Sequence, residues 1–484
     1  MGLKIYFLSC IGLILFPIAC KCKVYYSERL PFDLRCSNYL SKELKHEINS
    51  YRDIVQHIME QMQSAPLKDV LYDEYTKFID KFGARPSGSK VLEESIDYMV
   101  NLTIKYGTDT EEVIEVKTEE LEVPHWVRGE ESVKMIRPRL KNIAVIGLGS
   151  SVPTPKEGIE AELIVVRSFH DLEQLPKNDV KGKIVLFDRE YTDYEENVKY
   201  RIRGASKAAR KGAVATLIKS ITPFSLYTTH TGEQDYKKSV VNIPAGAITI
   251  EDSLLLRRLF DRGEKVILKI GMQSTYDTKI SRNTIIDLKG VLYPEKKVIV
   301  SGHIDSVDVG EGAMDDGGGM FISWFVPVGL KLLRLVSKRT VRSILWTAEE
   351  PGLIGAAAYL KRHIQELDNI TFIMESDEGT FNPRGLDVAG SNGARCMIAQ
   401  ILKLFRPIDT LTENDEPGSD ITLFTRKGVP GASLLNDNER YFWYHHSRAD
   451  TLSVQNKDDV VKCAAFWAAV SYVISDLSVD IPRD

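Results

Sequence analysis

The segment VIVSGHIDSVDVGEGAMDDGGGM, residues 298–320, places His303, Asp305, Asp308, Glu311, Asp315 and Asp316 between an apolar run and three consecutive glycines. Carboxylates this close repel one another, and Asp and Gly both disfavour helix and strand interiors. Whatever fold the chain adopts must cancel that charge where the apolar run ends. The pattern then repeats downstream. Glu349 and Glu350 follow RSILWTA, Glu375 and Asp377 lie at and just past the end of NITFIME, and His445 and His446 come after GVPGASLL.

From residue 283 onward, strand-like runs alternate with helical ones. A helix is predicted from about 319 to 337, and GLIGAAAYLKRHIQEL, ARCMIAQILKLF and DDVVKCAAFWAAVSYVISDL carry the later ones. This alternation predicts an α/β fold, a mixed and mostly parallel sheet flanked by helices. In such sheets sites form beyond the carboxyl ends of the strands, where the unusual residues fall. Upstream, 38–80 is helical in pattern, with Ser89 placed to cap a further helix. Between about 135 and 275, short β-branched runs such as AELIVV, GKIVLF and KVILKI suggest a separate strand-rich module with no obvious chemistry of its own. A chain of 484 residues allows two or three such domains.

A cluster of carboxylates and histidines is unstable if dry and unpaired. Two divalent cations would neutralise it, and histidine nitrogen with carboxylate oxygen is a donor set that zinc accepts in catalytic sites. Two metals about 3.5–4 Å apart need a bridging carboxylate and a water, plus a neighbouring acid to take the water's proton. The pair Glu349–Glu350 supplies one acid more than the metals need. A single acidic pair is ordinarily a solvated loop, but four such features at the strand ends of one domain are not. Asp308 and Glu311 are expected to be bystanders, and Asp316 has no evident role.

The first 22 residues carry one early Lys, an apolar core from Ile5 to Ala19 and small residues after it, which predicts a signal peptide over 1–22. No stable membrane span is expected. Sequons at Asn101 and Asn369 fit a secretory route. Cys36, Cys396 and Cys463 lie clear of the signal, and whether any two pair stays open. Core or metal, rather than bridges, is expected to hold the fold. The net charge of −5 gives no reason to expect nucleic acid or an anionic membrane as partner.

The motifs GHIDS…AMDDGGG, WTAEEPGLIGA, MESDEGTF and YHHSRADT resemble those of the M28 co-catalytic zinc exopeptidases, and the similarity runs through most of 283–484. GARPSGS resembles the motif that opens that family's catalytic domain. DVKGKIVLFDREY…KAARKGAVATLIKS resembles an inserted protease-associated domain. The resemblance implies a zinc exopeptidase fold, with 45–134 as the N-terminal helical part of the catalytic domain, the insert over 135–278 and the main catalytic part over 279–484.

It further implies two zinc ions. His303 and Asp377 would hold one, Glu350 and His446 the other, and Asp315 would bridge them. Glu349 would be the general base, and Asp305 would orient His303. Many relatives carry Tyr where this chain has His445, which could stabilise an oxyanion instead. Arg448 is a candidate contact for a substrate carboxylate. By the same resemblance the chain is a secreted or lysosomal enzyme acting on small peptides, dipeptides with free termini above all. It would form a homodimer, and 23–44 would be a removable propeptide. The rivals are an aminopeptidase on longer peptides, a receptor-like relative without catalysis, which should have lost ligands, and the single-zinc cyclase branch, which lacks the insert.

Overall fold

The computed structural model describes residues 36–107 and 114–483, so the signal-like stretch 1–22 lies outside the described residues. Helices Lys42–Ser50, Arg52–Met62, Leu67–Phe82 and Lys90–Gly107 come first. Their apolar positions recur at three- and four-residue steps and bury one stripe, including Ile48, Ile58, Leu71, Phe78, Leu92 and Met99. Ser89 caps the fourth helix, its Oγ accepting from Leu92 N at 3.1 Å.

The helical expectation for 45–134 ends at Gly107. Ile114–Arg137 is instead a 24-residue strand, paired antiparallel along its length with Ile267–Leu288. Ile114 and Val116, Leu121 and Val123, and Val133 and Met135 stand two apart, which is the strand period. The borders expected at 134/135 and 278/279 therefore fall inside one continuous ribbon.

That ribbon joins two sheets. The C-terminal half of Ile267–Leu288 pairs with Arg339–Trp346, and its N-terminal half pairs with Ile159–Val166. The larger sheet runs in the order Thr410–Glu413, Pro383–Ala389, Gly431–Asn436, Ile370–Glu375, Tyr293–His303, Arg339–Trp346 and Ile267–Leu288. Its centre, from Gly431–Asn436 to Arg339–Trp346, is parallel, and Pro383–Ala389 runs against it. The sheet is thus mixed and mostly parallel, as the alternation predicts.

Helices Gly318–Leu332 and Lys457–Asp476 pack on this sheet and against each other. Both are apolar on nearly every side and nearly wholly buried. Burying Trp324 and Trp467 leaves no indole N–H unpaired, because Thr103 Oγ1 and Ser323 Oγ accept from them. The smaller sheet is built from Val145–Gly147, Ile159–Val166, Ile184–Phe187, Ala215–Lys219 and Ala245–Ile248. It has apolar cores of its own, one around Val166, Phe187 and Ile218 and one around Leu163, Leu186 and Leu217.

One covalent tie departs from the expectation that core or metal alone holds the fold. Cys36 and Cys396 form a disulfide that joins positions 360 residues apart, while Cys463 is free and buried. The bridge, with Leu40 buried, also anchors 36–44 into the core, so cleavage at 44 would not release this segment. Cys36→Ser is expected to cost about 2–5 kcal/mol of stability, read as a lower denaturation midpoint under non-reducing conditions. An unchanged midpoint would show the bridge to be idle. No helix among the described residues is long and apolar enough to cross a membrane.

Candidate metal centre and active site

The parallel strands bring the expected residues to one edge. His303 ends Tyr293–His303, Glu349 and Glu350 follow Arg339–Trp346, Asp377 follows Ile370–Glu375, and His445–His446 follow the short helix Tyr441–Tyr444. Two donor sets result. His303 Nε2 lies 3.2 Å from Asp315 Oδ1 and 3.1 Å from Asp377 Oδ1. His446 Nε2 lies 3.3 Å from Asp315 Oδ2 and 2.9 Å from Glu350 Oε2. Asp315 thus turns one oxygen to each set, as a bridging carboxylate must.

The other polar groups sort around these sets. Asp305 does not orient His303 through its carboxylate, which stands 3.7 Å from Nδ1; its backbone carbonyl accepts from that nitrogen at 2.9 Å. The Asp305 carboxylate instead accepts from the amides of Glu349 and Glu350, fixing their turn. Asp316 acquires a place the sequence left open. Its two oxygens accept from His303 N and Gly319 N, pinning the strand end to the start of the next helix. Glu375 belongs to neither set; its carboxylate accepts from the amides of Asp420 and Ile421 and shares the Ser419 hydroxyl with Asp377. Asp308 pairs with Arg128, and Glu311 accepts from Leu452 N. Gly319 is required by crowding alone, since a Cβ there would stand 1.9 Å from Ser376 O.

Glu349 belongs to neither donor set, yet it is within electrostatic reach of His303, Asp377, Glu350 and Asp305. His445 stacks on His446 at 3.7 Å between ring centroids, with its Nε2 3.4 Å from Asp315 Oδ2. Glu350 contacts His446, while both His445 and His446 turn a ring nitrogen toward Asp315 Oδ2, so both imidazoles stand within ligating reach of that side. His446 adopts a left-handed backbone with φ of 57°, a sparsely populated region for a non-glycine residue and one found at strained functional sites. Arg448 is exposed on the turn beyond and does not line the cavity described below.

The electrostatics call for cations. Burial, with neighbouring carboxylates, pushes Asp305 up to about 6 and Asp450 and Glu375 up to about 7. It also raises Asp316, Glu349, Asp377 and Asp420. Against the push of burial, His303 and His446 hold Asp315 well below the usual range. Asp315 Oδ2 is nevertheless buried without a well-aligned hydrogen-bond donor. An orphaned oxygen among desolvated carboxylates and histidines fits a divalent cation at this cluster.

Several supporting residues were not legible as such in the sequence. Asp450 accepts from the amides of Met314 and Asp315, which sets the bridge's backbone. Arg85, in the GARPSGS motif, is fully buried and donates to the carbonyls of Ile304, Gly83, Glu311 and Gly312. It thus clasps both ends of the loop that carries Asp315 from His303. Arg85→Ala would strand those carbonyls, and the expected loss is about 3 kcal/mol or more with metal binding weakened. Thermal melts with and without metal test this, and an unchanged melt would refute the clasp.

The module built on the smaller sheet also reaches this cluster. Thr231 N donates to His446 O at 2.8 Å, His230 Nδ1 lies 2.7 Å from His445 O, and Arg201 NH1 lies 3.3 Å from His446 Nδ1. Between this module and the larger domain lies a cavity of ≈ 810 Å³ lined by Ser150, Arg201, Glu233, Tyr276, Glu350 and Pro351, among others. Of the candidate ligands, Glu350 lines that cavity.

A mostly parallel α/β sheet with acids and histidines clustered at its strand ends, together with the relatives that follow, makes the chain a metallo-exopeptidase. The chain belongs to peptidase family M28, which residues 283–471 match. It is 43% identical over 442 residues to carboxypeptidase Q of Xenopus laevis, covering 91% of this chain and 93% of that protein. It is 42% identical to carboxypeptidase Q of Homo sapiens, covering 93% and 95% of the two chains. A peptidase M28 precursor from Shewanella amazonensis SB2B superposes with a TM-score of 0.85 at 28% identity, covering 90% of this chain and 99% of that one. The zinc aminopeptidase BSAP of Bacillus subtilis shares the fold, with a TM-score of 0.65 at 20% identity over 86% of this chain and 97% of that one.

Proposed function

We propose that the protein is a binuclear zinc exopeptidase that hydrolyses small peptides, above all dipeptides with free termini. The observation that carries this is Asp315, whose two oxygens are divided between the His303–Asp377 and His446–Glu350 sets. Bound zinc would supply Lewis acidity, lowering the pKa of water and polarising the scissile carbonyl. Glu349, outside both sets, takes the water's proton and returns it to the leaving amine. His445, near Asp315, would stabilise developing negative charge on the carbonyl oxygen. The similarity to carboxypeptidase Q supports a carboxypeptidase over an aminopeptidase acting on longer peptides, and the dipeptide preference rests on the family resemblance.

Metal content measured together with hydrolysis of dipeptides, tripeptides and amino-terminal arylamides tests the proposal. Two zincs with preference for dipeptides is the expected result, and preference for arylamides or tripeptides would overturn the substrate assignment. For Arg448, exposed as it is, an unchanged KM in Arg448→Ala would end its candidacy as a carboxylate contact. A secretory route, to the outside or to lysosomes, is supported by the disulfide and by Asn101, exposed on its helix. Glycosylation at Asn101 and Asn369 and assembly as a homodimer belong to the same proposal. The dimer rests on the family resemblance alone.

A further inference from the structure

Glu233 follows Gly232, where an added Cβ would stand 2.6 Å from His446 Nδ1. It lines both the large cavity and the smaller hollow beside it, and Glu350 is the proposed ligand that lines both as well. The backbone holds it firmly there. Gly149 N donates to Gly232 O at 3.0 Å, Gln234 N donates to Gly149 O at 3.3 Å, and Arg201 Nε donates to the Glu233 carbonyl at 3.2 Å. A Cβ on Gly149 would lie 2.1 Å from Glu233 Oε2, so the chain keeps that position bare beside the carboxylate.

The carboxylate accepts from Ser150 and feels the charge of Arg201, yet it forms no ion pair. Arg201 directs its N–H groups to Thr231 O, Tyr194 Oη and the Glu233 carbonyl. Among the described residues no Lys or Arg pairs with the Glu233 carboxylate within 4.0 Å. Burial accordingly pushes it up to about 7. A carboxylate in a substrate-sized cavity without an ion-paired protein cation costs desolvation unless something else supplies the charge.

We propose that Glu233 is a specificity-determining residue whose carboxylate receives a cationic group of the substrate, an ammonium from either a free N terminus or a basic side chain. The proposal rests on the peptidase reading above and deepens it. In a dipeptide the α-ammonium is one carbon removed from the scissile carbonyl, so a carboxylate sharing a cavity with Glu350 suits that source. The insert then does more than wall the site, because it selects unblocked peptides.

Glu233→Gln keeps the shape and removes the charge. Ala-Leu, N-acetyl-Ala-Leu and Lys-Leu serve as probes, with Glu233→Asp as the charge-retaining control. KM for both free dipeptides is expected to rise about 10- to 100-fold at nearly constant kcat, with the acetylated peptide hardly affected. A loss confined to Lys-Leu would assign the cation to the side chain and still support the proposal. Equal loss on all three probes, or none, would overturn it, as would loss of the preference in Glu233→Asp. Calorimetric binding of the same peptides to zinc-loaded Glu349→Gln, with and without Glu233→Gln, needs no turnover. If the wild-type protein cleaves no peptide, the peptidase reading fails, and the binding arm still decides the role of Glu233.

Discussion

Glu349→Gln is expected to lower kcat on dipeptides by about 10²–10⁴-fold, with zinc content and KM nearly unchanged. The separation of roles follows from geometry. The Glu350 carboxylate contacts His446 and the amide of Val307, and its loss would disturb a donor set. Glu349 sits outside both sets, tied down by its backbone amide to Asp305. Glutamine keeps its volume and removes only the capacity to hold a proton. Metal analysis beside steady-state kinetics is decisive. Full turnover would remove Glu349 as base, and zinc lost along with activity would make it a ligand instead.

Asp315→Asn is expected to weaken metal binding at both sets together, by roughly 100-fold or more. Losing a partner one shell out already costs 10- to 100-fold, and here a shared ligand and its charge go at once. Asp377→Asn and Glu350→Gln should each weaken one set and leave the other. Because metal that binds only the folded state adds about 2.7 kcal/mol at one hundred times its Kd, chelation should lower the melting temperature of the wild type. It should move that of Asp315→Asn much less. Metal titration resolving two sites tests this, and weakening of a single site in Asp315→Asn would refute the bridge.

Most of the candidate site was legible because its residue types are concentrated at strand ends. Periodicity located the strands, and beyond them stood residue types that cannot be buried together without cations. Glu375 shows the limit of that inference. It has the right type at a strand end, but its carboxylate is taken by the amides of Asp420 and Ile421. Arg85 shows the opposite limit, for nothing in a lone arginine near Gly and Pro reveals that it closes a loop more than 200 residues away.

The sequence by itself determined the class of fold, the run 283–484 that carries the chemistry, and the acids and histidines in it. Local pattern and residue type suffice for these, since hydrophobic period and ligand chemistry are written along the chain. Tertiary structure decided what depends on contacts between distant segments. It alone paired Ile114–Arg137 with Ile267–Leu288 as one ribbon and joined Cys36 to Cys396. It alone split the oxygens of Asp315 between two sets, and brought His230, Thr231 and Arg201 of the insert against His445 and His446. Such contacts are fixed by packing and hydrogen-bond satisfaction across the whole molecule, which no local stretch of sequence encodes.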